Sequence, residues 1–263
     1  MLAGYDYLLG AAARLQWDAE GIPLAADRTQ ALALAAPVRG RLQTLVGGFS
    51  VAEHAVAQEL APFAAAAAVL DPDPRARECF AVQAGDERRH ARWFDRLAGK
   101  LLGLDRQAAR AVAPAPIREL FESELPATAA SLAARAAPAQ LGAAVGLYHL
   151  LLEGIVFAIG QEALLTLAQE QGLAGVADGV ARVQGDERWH VGLGVLALQR
   201  LAEHGRARPV EITDAAIRAA GAWGPSIATP ERIERALAVH GRRLAVITPP
   251  IAEARARAGS APR

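Results

Sequence analysis

One short pattern occurs twice in this chain and constrains it more than any other feature. Residues 85–90 read Gly-Asp-Glu-Arg-Arg-His, and residues 185–190 read Gly-Asp-Glu-Arg-Trp-His. Each copy contains Glu-x-x-His, as Glu87 with His90 and as Glu187 with His190. On a helix the i, i+3 spacing turns both side chains to one face. Each copy also has a glutamate 34 residues upstream, Glu53 in the first half and Glu153 in the second. A single Glu-x-x-His is common on a solvated helix face. Two copies in one Gly-Asp-Glu-Arg frame, each with an upstream Glu at equal distance, describe an internal repeat whose halves must meet.

Glu153 makes the case stronger. It lies in the run 141–160, whose only strongly polar members are His149 and Glu153. A buried carboxylate needs compensation by a cation or by hydrogen bonds. Six groups, Glu53, Glu87, His90, Glu153, Glu187 and His190, therefore read as the ligands of two metal ions. Such ions need several carboxylates to neutralise and bridge them, and one imidazole per ion leaves positions open for oxygen. One Glu from each of two helices plus Glu-x-x-His from two others is a carboxylate di-metal arrangement of four-helix bundles. Zinc hydrolysis is disfavoured because no His-Glu-x-x-His occurs. Asp86 and Asp186 precede the ligand glutamates. Since metal-bound histidines donate their other N–H to a carboxylate, Asp186 is expected to orient His90, and Asp86 to orient His190.

Composition agrees with an all-α protein. Hydrophobic residues make up 52% and alanine, the best helix former, about a quarter of the chain. The length of 263 residues suits a single domain over residues 1–250, with a flexible tail over 251–263. Basic and acidic residues balance at 28 each, which gives no field to draw nucleic acid or an anionic membrane. One cysteine excludes an internal disulfide framework. Residues 1–20 carry Asp6 and no basic region before an apolar core, so they do not read as a signal peptide, and a cytoplasmic location is expected. The run 141–160 is long enough for a membrane span. Glu153 near its middle and the lack of flanking basic clusters favour a buried central helix instead.

Long helices are expected from Pro37 to about Ala61, from Pro74 to Leu102, from Pro138 to about Gln169 and from Val176 to Glu203. The last of these should stop at His204-Gly205. Short helices are expected over residues 4–16, 117–124, 213–222 and 229–245. Pro62 should kink or end its helix, and Asp73 should cap the helix opened by Pro74. Residues 103–116, and the Gly172–Gly175 segment, read as connections. His149, four residues before Glu153, is either an extra ligand or a hydrogen-bonded core histidine. His54, His204 and His240 read as superficial, Arg88 and Arg188 as surface residues, and Cys79 as a small buried one.

The order Glu, Glu-x-x-His, Glu, Asp-Glu-x-x-His resembles the ribonucleotide reductase small subunit superfamily. Further matching segments are Gln16-Trp17-Asp18 through Asp27-Arg28, Glu53-His54-Ala55-Val56 to Pro62-Phe63, Glu124-Leu125-Pro126 and Tyr148 to Gly154. Within that superfamily the pattern is most similar to the ligand-binding oxidases, over about residues 15–203. The resemblance implies a ferritin-like four-helix bundle with additional short helices. It implies manganese at Glu53, Glu87 and His90 and iron at Glu153, Glu187 and His190, or two irons, with O2 as co-substrate. It also implies a long-chain fatty acid or other apolar ligand over the metals, a homodimer, and Trp17 supporting the ligands beside Asp86 and Asp186.

In the oxidases a tyrosine–valine ether forms near the metals. The corresponding residues here are Tyr148, five before the third glutamate, and Val56, three after the first. Apart from the resemblance, both would be ordinary core residues. Phe157, with Leu151, Leu152 and Ile155, is a candidate for lining an apolar pocket, or for core packing. Gln161 departs from the pattern, standing where the oxidases carry a pocket tyrosine, and His149 lies nearby. A radical-generating reductase subunit is the main alternative. It would place Phe94 at the radical position, and the only tyrosines, Tyr5, Tyr7 and Tyr148, leave the C-terminal segment without a relay. Iron storage is a second alternative.

Overall fold

The computed structural model describes residues 4–203 and 213–247. The expected stop at His204-Gly205 and the expected tail lie outside them. Among the described residues there are helices and no strand. They run α1 Tyr5–Arg14, α2 Ala25–Ala33, α3 Ala36–Glu59, α4 Ala61–Leu70 and α5 Pro74–Arg96, which continues as a π-helical turn, π1, Leu97–Leu101. Then come α6 Arg106–Val112, α7 Ala115–Glu119, π2 Leu120–Glu124 and α8 Leu125–Ala134. The third long helix is α9 Pro138–Val145, π3 Gly146–Phe157 and α10 Ala158–Glu170, followed by α11 Ala174–Glu203, α12 Thr213–Ala220 and α13 Pro230–Ile247. The four rods that carry the six expected ligands are α3, α5, the α9–π3–α10 helix and α11.

Local chemistry explains most boundaries. Pro62 in the first turn of α4 separates it from α3 at Leu60. The Asp73 side chain accepts the Arg75 N–H and starts α5, with Pro74 at the tolerant first position. At long range, Asp27 of α2 accepts the Val176 N–H at 2.7 Å and so caps α11.

Several expectations need correction. The 103–116 connection contains α6, because the Asp105 side chain accepts the Ala108 N–H at 2.8 Å and caps it. Helix α2 was not expected at all. The helix before Pro126 does not stop there. The wide π2 turn has already given up α-type bonding where the Pro126 N–H is missing, so the chain continues into α8. Gly175 is a helical residue of α11. A Cβ at this position would run into the Pro23 carbonyl, so its role is close approach.

The apolar run anticipated as a central helix is the α9–π3–α10 rod. It is long and apolar enough to cross a membrane, yet 83% of its most apolar window is buried within the bundle. Twelve residues of it are π-helical. The i→i+5 ladder adds residues to each turn and sets Tyr148, His149 and Glu153 in a phase that α-helical periodicity does not give.

Candidate metal centre

The four rods bring the six expected ligands together in a buried cluster. Glu53, Glu87, His90 and His190 are wholly buried, and Glu153 and Glu187 nearly so. Ligand atoms of Glu53, His90 and Glu187 lie within 4.8 Å of one another, as do those of Glu87, Glu153, Glu187 and His190. Glu187 belongs to both groups. Glu87 also faces both sides, with Oε2 at 3.1 Å from His90 Nδ1 and Oε1 at 2.9 Å from His190 Nδ1. The spacing suits two ions with Glu87 and Glu187 between them.

The imidazoles are held crosswise. His90 Nε2 lies 3.0 Å from Asp186 Oδ2, and His190 Nε2 lies 3.4 Å from Asp86 Oδ2. An Nε2–H donated to each aspartate leaves the Nδ1 lone pair facing the carboxylates, which is the metal-binding tautomer. The partnership is the one the sequence suggested. Trp17 joins it by donating Nε1–H to Asp186 Oδ2 at 2.8 Å, its ring stacked 6.2 Å from His90.

The donor set fits cations for a second reason. Both carboxylate oxygens of Glu53 and Oε2 of Glu153 are buried without a hydrogen-bond partner. Leaving such groups unpaired costs several kcal/mol each. Burial and the neighbouring carboxylates push Glu53 and Glu153 well above the usual carboxylate range. Burial also raises Glu187. Burial opposes the charged form of His90, but Asp186, Glu87 and Glu53 outweigh it and hold that imidazole well above its ordinary value. His190 is raised likewise by Glu87, Asp86, Glu153 and Glu187. Burial works against ionised Glu87, yet the two imidazoles keep it well below.

Two residues of the cluster were missed. Arg89 is buried and donates to Asp86 Oδ1 at 2.7 Å, Asp186 Oδ2 at 2.9 Å and Gln16 Oε1 at 3.1 Å, with its guanidinium 5.2 Å over the Trp17 ring. It ties together the two aspartates that orient the two histidines. Its signal was the single break in the repeat, Arg89 against Trp189. Arg88 and Arg188 are exposed, as expected. Gln83, four residues before Glu87 and so on the same face, donates to Glu153 Oε1 at 2.8 Å and accepts from His149 Nε2 at 3.0 Å.

His149 is thereby a hydrogen-bonded core histidine packed against Phe63, Phe80 and Tyr148. Burial pushes its pKa down to about 3. Tyr148 is fully buried and donates its hydroxyl to Glu87 Oε1 at 2.8 Å. Val56 is fully buried on the same face of α3 as Glu53. Gln161 donates to Glu187 Oε1 at 3.3 Å. Phe157 is packed between Phe49 and Phe121, and Phe94 stacks on Phe49. Leu151 lines a 180 Å³ cavity with Leu147, Leu120, Ala219 and Ala222. His240, expected at the surface, is buried on α13 because that helix packs on π3 and α11. His54 is half-buried and pairs with Asp95 at 3.1 Å.

Neither a family model nor a curated protein matches the sequence. Solved structures do. An R2-like ligand-binding oxidase, as a tyrosine-to-phenylalanine variant with an aerobically reconstituted Mn/Fe cofactor, superposes with TM-score 0.79 at 19% identity, covering 94% of each chain. A valine-to-leucine variant with an anaerobically reconstituted Mn/Fe cofactor gives 0.80, also at 19% identity and 94% of each chain. The R2-like ligand-binding oxidase from Sulfolobus acidocaldarius gives 0.75 at 23% identity, covering 92% of this chain and 89% of its own. This chain has the ferritin-like fold of the R2-like ligand-binding oxidases.

Proposed function

We propose that this protein is a di-metal carboxylate oxidase that activates O2. The observation that carries the reading is the buried convergence of Glu53, Glu87, His90, Glu153, Glu187 and His190, with three carboxylate oxygens left unpaired inside it. Manganese and iron, or two irons, would be held by Glu53 and His90 on one side and Glu153 and His190 on the other, with Glu87 and Glu187 between. Bound there, such a pair supplies electrons to O2. The rest belongs to the chain. Asp86 and Asp186 fix the imidazole tautomers, Arg89 balances those aspartates, and the apolar rods exclude water.

Tyr148 donates its hydroxyl to Glu87 Oε1 at 2.8 Å, which holds the phenolic oxygen beside the carboxylate cluster. In this reading Tyr148 forms an ether with Val56. One tyrosine O–H and one valine C–H are broken, a C–O bond forms, and two electrons and two protons pass to O2. An apolar ligand, such as a long-chain fatty acid, is supported by the resemblance. A cytoplasmic homodimer completes the proposal.

Metal analysis after reconstitution with both ions tests the core of this reading. Two ions per chain are expected, and fewer than one would sink it. Intact mass tests the ether. Aerobic reconstitution should remove two hydrogens in the wild type and none in Tyr148→Phe, and an unchanged wild-type mass removes the cross-link.

A further inference from the structure

Building on the di-metal reading, we propose that Arg243 of α13 is a positioning residue for Glu153. By binding the backbone one residue beyond Glu153, it fixes where that carboxylate meets the metal. The argument begins with the π3 ladder. Where a helix leaves i→i−5 bonding for tighter spacing, the amide ladder passes over carbonyls at the junction. At the end of π3 the Ala158 N–H bonds Ile155 O. At this junction the Gly154 carbonyl accepts from Arg243 Nη1, at 2.9 Å.

The site is shaped for this bond. A Cβ at residue 154 would lie 2.6 Å from Arg243 Nη1 and 3.0 Å from His149 O, so glycine is the residue that admits the guanidinium. Gly154 is buried, so its carbonyl would otherwise lack water as well. Another carbonyl of the same turn is also bonded from the same side of the molecule, since Trp223 Nε1 donates to Val156 O at 2.7 Å. The segment after α11 thus supplies two side-chain donors to the exit turn of π3. Side-chain contacts hold only one oxygen of Glu153, which lies 3.4 Å from His190 Nδ1 and accepts from Gln83. The other has no partner, so the place of the carboxylate depends on its backbone.

The test compares full-length wild type with Arg243→Met, Arg243→Lys, Gly154→Ala and, as a surface control, Arg242→Met. Each is titrated with ferrous and manganous ions, and the loaded proteins are read by optical absorption and electron paramagnetic resonance, with helix content followed by circular dichroism. Arg243→Met should keep its helix content yet bind one of the two ions about tenfold or more weakly, with an altered resonance signal. Lysine, which still offers a donor, should restore part of the affinity. Gly154→Ala should behave like Arg243→Met, and Arg242→Met like wild type. If Arg243→Met loses helix content, the lysine and Gly154→Ala variants decide on the same criteria. Wild-type affinity and signal in Arg243→Met or Gly154→Ala would overturn the inference while leaving the di-metal reading intact. A wild type that binds no ion pair would sink both.

Discussion

Arg89→Met removes one guanidinium and leaves the apolar bulk, which isolates what that charge does. A single nitrogen, Nη2, serves Asp86 at 2.7 Å and Asp186 at 2.9 Å, and the side chain is only 7% exposed. A hydrogen bond to a charged group contributes about 1.5–3 kcal/mol, and breaking a buried pair costs about 3–5 kcal/mol. Both aspartates keep a histidine partner, and Asp186 keeps Trp17, so the loss should sit near the lower figures. We expect about 1.5–3 kcal/mol in urea unfolding of the metal-free protein, or a fall in Tm of about 3–12 °C. Metal affinity should fall as well, because each imidazole is oriented by an aspartate that has lost its counter-charge. About 10–100-fold is expected. Adding Asp186→Asn to Arg89→Met removes one unbalanced charge and should recover part of the stability. A destabilisation under 1 kcal/mol with unchanged metal affinity would refute the assignment of Arg89 as the tie between the halves.

Other outcomes follow from the same geometry. Glu53, Glu153, Glu187, His90 and His190 are held protonated above their ordinary range in the metal-free protein, so binding must expel protons and apparent affinity must rise with pH. Calorimetry in buffers of different ionisation enthalpy should give at least the two imidazole protons near pH 7, and no release would contradict the ligand assignment. His149 stays neutral in the fold down to about pH 3, whereas in the unfolded chain it takes up a proton near 6.5. The unfolded state therefore binds more protons between those values, and stability should fall as pH drops, by up to about 1.4 kcal/mol per unit. Denaturant midpoints at pH 7 and 5 should differ less in His149→Gln than in wild type. Asp27→Ala should cost about 1–2 kcal/mol by uncapping α11, with Asp27→Asn losing less, and equal losses in both variants would argue against the cap.

The clustering of the six side chains was legible because its chemistry is written locally. Glu-x-x-His sets a helix face by spacing alone, and an acid in the 141–160 run demands a partner whatever the fold. Proline and aspartate placed the starts of α4 and α5 for the same local reason. What the sequence hid was non-local or broke the period. Asp27 caps a helix 149 residues away. The π3 segment leaves no mark in a run of apolar residues that would suit an α-helix equally well. His240 looked superficial because the surface that covers it comes from π3 and α11. Phe157 could line a pocket or fill the core from sequence alone, and it is the Phe49 and Phe121 rings that pack it in.

The repeat also suggested more symmetry than the site has. Both histidines have their crosswise aspartate, so the duplicated Gly-Asp-Glu-Arg frame carries over into structure. The upstream glutamates do not match. Glu153 sits on a π-helical turn, bonded to Gln83 and next to a carbonyl held by Arg243, whereas Glu53 sits on the α-helical α3 with neither oxygen partnered. Position 89 is arginine in one half and position 189 is tryptophan in the other. These differences all come from residues outside the six ligands. A carboxylate with no hydrogen bond is free to change how it binds as an ion changes charge, while one tied to an amide and a pinned backbone is not. Two ions in this cluster would therefore meet different ligand rigidity on the two sides, and a protein that discriminates between metals would do so through Gln83, Arg89 and the π3 turn.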